Sequence, residues 1–94
     1  MYDDVLTYIQ SQIRALNYVV TLHAEEEMDN DGLSIYDVEQ ALLEGFVIER
    51  QADQRTAEWK YIIQGVTDHG NTVCVVTKIS TTGTVVIITV YALA

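Results

Sequence analysis

Apolar residues follow a helical period in the first half of the chain and a strand period in the second. Val5, Leu6, Ile9, Ile13 and Leu16 recur every three or four positions, which gathers them into one stripe of a helix over residues 3–16. Asp3 and Asp4 stand where the backbone dipole favours negative charge, and Arg14 where it favours positive. Asn17 is the stop. Residues 18–21, Tyr-Val-Val-Thr, are short and β-branched: an extended connector or a brief edge strand. A short helix follows over 23–30, with Ala24 and Met28 on its inner side, and Asp31-Gly32 breaks it. Ser34 and Asp37 have capping-box spacing. They open a helix whose buried stripe is Ile35, Val38, Ala41 and Leu42. Gly45 comes where a left-handed residue would close that helix.

After Gly45 the period shortens to two. Phe46 and Ile48 alternate with Glu49 and Gln51, and residues 52–56 read as a polar turn. Over 59–65, Trp59, Tyr61 and Ile63 share one face, and Lys60, Ile62 and Gln64 the other. Asp68-His69-Gly70-Asn71 is a turn cluster. Two β-branched runs then flank Ser80-Thr81-Thr82-Gly83, the signature of a hairpin. Its second strand, 85–90, is apolar almost throughout, which predicts a central strand covered on both faces. The expected fold is α+β: N-terminal helices on one face of a four-stranded antiparallel sheet, in a single domain spanning residues 1–94.

Composition narrows the function classes. The net charge is −9, from fourteen carboxylates against five Lys and Arg. Nucleic-acid binding rests on a basic footprint, so a basic protein partner is the expectation and RNA only an alternative. An anionic membrane surface is disfavoured for the same reason, and no apolar run approaches the roughly 20 residues that span a bilayer. The cytoplasm is the expected location. The single cysteine, Cys74, sits mid-strand among apolar neighbours and reads as a small buried residue.

Candidate chemistry is sparse. His23 opens a helix, where the dipole favours a neutral, proton-accepting imidazole. Arg50, Arg55 and Lys60 are three of the five cations, and pairing of their strands would bring them to one edge as a basic patch that binds substrate. Tyr91 closes the last strand and could donate its hydroxyl into a site. His69 reads as exposed polar surface. Glu27, Asp29 and Asp31 before Gly32 invite a calcium loop, but its closing position is Val38, which cannot supply the bidentate carboxylate. There is no glycine-rich phosphate loop and no Cys/His zinc spacing, so no cofactor and no metal are expected. The apolar hairpin with Ala92-Leu93-Ala94 offers a homodimer surface.

Several segments together carry a resemblance. They are Thr21-Leu22-His23-Ala24, Met28, Gly32-Leu33-Ser34, residues 37–45, residues 59–65 and the closing Val86-Ile87-Ile88-Thr89-Val90-Tyr91. In this order, over roughly residues 18–92, they resemble a bacterial family of small domains of unknown function, distant relatives of the RelE- and BrnT-type toxins. The resemblance implies a RelE-like fold, messenger-RNA cleavage and an antitoxin-like partner. His23, Lys60 and Tyr91 would then be base, phosphate cation and proton donor. It also implies arginines before the methionine and before the glycine, where this chain has Glu27 and Asp31. Two reversals move the local charge by four units against phosphate. The expectation is therefore a domain that works through protein contacts with weak or lost ribonuclease activity, the alternative being an active endoribonuclease of a toxin–antitoxin pair.

Overall fold

In the computed structural model, which describes residues 2–93, the chain runs through three helices and five strands. Helix α1 spans Asp3–Arg14 and buries Ile9 and Ile13. It stops two residues before the apolar stripe does. Leu16 takes a left-handed conformation (φ 58°) and donates its N–H to Ile13, while the Asn17 N–H reaches Gln12. That closure turns Leu16 out of the stripe, 71% exposed.

Strand β1 (Tyr18–Val20) pairs parallel with β5 (Val85–Ala92). The sheet is therefore five-stranded and mixed, in the order β1-β5-β4-β3-β2, where the sequence pattern implied four antiparallel strands. Three β-branched or aromatic residues were too short a signal to decide between connector and strand. The Tyr18 hydroxyl ties β1 to the helices by donating to Glu39 at 2.5 Å.

Helix α2 (Leu22–Asp31) is capped by Thr21, whose hydroxyl accepts from the Ala24 N–H, and ends at Gly32 in the left-handed region. Helix α3 (Ile35–Glu44) opens on the Ser34–Asp37 capping box and buries Val38, Ala41 and Leu42. Gly45 is extended (φ −93°, ψ −173°), so it does not close α3 through a left-handed turn. Its need is space: a Cβ there would collide with the carbonyls of Ala41 and Gln64. Gly65 meets the Ala41 backbone in the same way, and the two glycines let α3 lie close on the sheet. In α1, Gln10 donates to the carbonyls of Leu42 and Leu43, satisfying the end of α3.

The antiparallel part comprises β2 (Phe46–Ala52), β3 (Trp59–Val66), β4 (Thr72–Ile79) and β5. The helices cover one face only. Ile63, Val73, Val75, Val85, Ile87 and Val90 point into that layer and are wholly buried. Strand β5 is next to the edge strand, and β4 is central. Along β5, buried Val85 and Ile87 alternate with half-buried Val86 and Ile88, so it is not covered on both faces. The apolar run reflects an uncovered face that is itself apolar.

Strand β2 also departs from simple alternation. A bulge between Val47 and Glu49 shifts the register. Phe46, Glu49 and Gln51 pair with Gln64, Ile62 and Lys60 and share the open face, while Val47 packs inward. Phe46 and Ile48 are both exposed.

Candidate functional site

The five candidate residues fall into three groups. His23, on the first turn of α2, is exposed, and its Nε2 lies 3.3 Å from the Glu27 carboxylate one turn on. Glu27 in turn accepts a hydrogen bond from the Val90 N–H at 3.0 Å. Asp31 accepts from the Ala92 N–H at 3.3 Å. Together they explain why α2 lies where it does. Strand β1 covers β5 only as far as Ile87; beyond it the edge of β5 is bare, and α2 supplies acceptors to the N–H groups there. Thr21 completes the seam, donating its hydroxyl to Ile88 and its N–H to Ile87.

Tyr91 stands on the same stretch of β5, on the open face opposite Cys74. Burial, then Cys74 and Glu49, push its phenol above the usual range, which keeps it a proton donor. Cys74 is buried, its Sγ 3.8 Å from Gln64 Oε1, as its mid-strand position implied.

Lys60 is elsewhere. It precedes Tyr61, which pairs with Thr77, whereas Tyr91 pairs with Cys74 two strands from β3. Four strand steps along and two strands across separate Lys60 from Tyr91 by more than about 15 Å. The structure thus brings His23 and Tyr91 to one edge and leaves Lys60 at the other end of the sheet.

Arg50, Arg55 and Lys60 do not form one patch. Arg50 pairs with Tyr61 on the helix side of the sheet, and its guanidinium stacks 3.8 Å from the Trp59 ring centroid and 5.6 Å from that of Tyr2. Lys60 points to the opposite face, because neighbouring strand residues alternate. Arg55 and Lys60 do meet around Asp53, with Lys78 as a third cation that the sequence reading missed. The Arg55 backbone N–H first, then the charges of Lys60, Arg55 and Lys78, hold the Asp53 carboxyl below its usual range. Lys78 is also 3.9 Å from Glu58. Only the register of β4 against β3 reveals Lys78, and no local signal marks it.

Charge is divided between the layers. Residues 1–45, with the three helices, carry ten carboxylates and one cation, Arg14. Residues 46–94 carry four of each. The whole −9 therefore belongs to the helical half. Glu25, Glu26 and Asp29 project from α2 into solvent, and His69, also exposed, lies 3.6 Å from Asp37. A recess of about 220 Å³ between the starts of α1 and β2, lined by Tyr2, Asp3, Leu6, Phe46 and Val47, holds none of the candidate residues. No helix among the described residues is long and apolar enough to cross a membrane.

A family model described as a domain of unknown function, DUF4258, matches residues 20–92. Helix α1 precedes the matched region. No curated protein and no solved structure matches the chain.

Proposed function

The chain belongs to the DUF4258 family of domains of unknown function, and on that footing we propose that it works by protein contact, presenting its acidic helical layer to a Lys- and Arg-rich segment of a partner. The observation that carries this reading is the segregation of charge. Ten carboxylates sit in the helical half, and Glu25, Glu26 and Asp29 of α2 are exposed together. A field of one sign steers an oppositely charged partner and repels a polyanion.

In this reading the domain is a relative of RelE- and BrnT-type toxins in which RNA cleavage is weak or lost. Cleavage through a 2′-hydroxyl needs a base, an acid and a cation at the phosphate. His23 faces the Glu27 carboxylate, Lys60, Arg55 and Lys78 gather around Asp53, with Lys78 also near Glu58, and Arg50 is stacked on Trp59. The carboxylates of Glu27 and Asp31 are engaged in holding the edge of β5. An active endoribonuclease is the competing reading. It would use His23 as base and Tyr91 as acid, with Lys60 as a distant cation.

Incubation of the protein with messenger RNA, beside a His23→Ala control, tests the reading. Equal, background-level cleavage in both samples is expected. Cleavage that vanishes with His23→Ala would establish the catalytic alternative.

A further inference from the structure

We infer that the open face of the sheet is the contact between two copies of this chain, stacked sheet to sheet with their helices outward. No helix covers this face, yet its middle is apolar: half-buried Val76 and Val86 and exposed Tyr91 lie there, around Ile62, which the chain's own side chains already bury. Lys60 and Lys78 mark one end.

Charge selects a second copy as the occupant. Residues 46–94 are neutral in sum and the helical half carries the −9, so the sheet is the one broad surface on which two copies meet without joining like charges. Stacked sheets lie about 10 Å apart and each helical layer adds about as much. The two acidic layers then stand about 30 Å apart, well beyond the screening length of about 8 Å in physiological salt. Contact of the helical layer with a sheet face would instead be head-to-tail, building a ring or an open filament rather than a two-fold dimer.

Area agrees. Three strands of eight residues, one of seven and one of three, spaced about 4.8 Å at about 3.3 Å per residue, offer about 500 Å² per copy. That is close to the lower limit for a stable interface, so the dimer is weak and depends on concentration. A two-fold axis across the strands brings Lys60 and Lys78 over the 67–71 turn of the other copy, which carries Asp68, and keeps the lysines of the two copies apart.

The test is sedimentation of the chain alone across a concentration series from micromolar to millimolar, with Val76→Glu for comparison. The inference expects monomer to give way to dimer, and dimerisation to weaken roughly tenfold or more in Val76→Glu. Constant monomer mass to millimolar concentration overturns it, as does a dimer that folded Val76→Glu leaves intact. Should that variant fail to fold, methyl spectra of the wild-type chain over the same series decide. Concentration-dependent shifts at Ile62, Val76 and Val86 support the contact, and shifts confined to the helices overturn it.

Discussion

The Glu27 carboxylate accepts a hydrogen bond from the Val90 N–H at 3.0 Å, joining α2 to β5 across 63 positions of sequence. An acidic residue at this point weakens any grip on phosphate, but it also satisfies an N–H that β1 is too short to reach. A partly buried donor left without its acceptor costs about 1–3 kcal/mol. Glu27→Ala should therefore lower stability by about 1–2 kcal/mol. Glu27→Gln, which keeps an acceptor oxygen, should cost less. Chemical denaturation of both variants checks this, and equal losses would mean that the charge matters rather than the hydrogen bond.

Leu16 holds a left-handed conformation, which costs a non-glycine residue roughly 1–2 kcal/mol. It is largely exposed, so little burial offsets that strain. Leu16→Gly should stabilise the protein by about 0.5–1 kcal/mol after the greater entropy of glycine in the unfolded chain is counted. A thermal melt of the variant reports the sign directly, and a lower midpoint would show that Leu16 makes a contact worth more than its strain.

These two positions show what was legible in the sequence and what was not. Periodicity located all three helices, and Ser34 with Asp37 capped α3 as their spacing required. Leu16 fitted the period and still left the core, because closure of a helix is set by backbone geometry that hydrophobic spacing does not record. The β1–β5 pairing was hidden for another reason: it joins residues 67 apart through three positions. The bulge at Ile48 and the face of Arg50 depend on register, which is fixed by partner strands rather than by local sequence. Candidate residues were named from type and position, and only pairing separated Lys60 from Tyr91.

The Asp37 carboxyl lies below its usual range, chiefly because the Ser34 N–H donates to it at 2.9 Å, with the Ser34 hydroxyl and His69 adding to the effect. A value lowered by folding contributes stability that is whole above the unfolded carboxylate range, near pH 4, and is lost as pH falls through the lowered value. Asp37→Asn should therefore be less sensitive to acid than the wild type between about pH 4 and pH 2. Ser34→Ala should cost about 1 kcal/mol at neutral pH through loss of the cap. Urea midpoints measured across that pH range check both, and parallel curves for wild type and Asp37→Asn would contradict the assignment.

Binding preference between opposite polymers tests the protein-contact account most directly. Fluorescence anisotropy would compare a labelled Lys- and Arg-rich peptide with a labelled single-stranded RNA of equal length, at two salt concentrations. The account predicts that the peptide binds, that added salt weakens it, and that joint replacement of Glu25, Glu26 and Asp29 by their amides weakens it further, while the RNA stays free. RNA bound in preference to the peptide would contradict it.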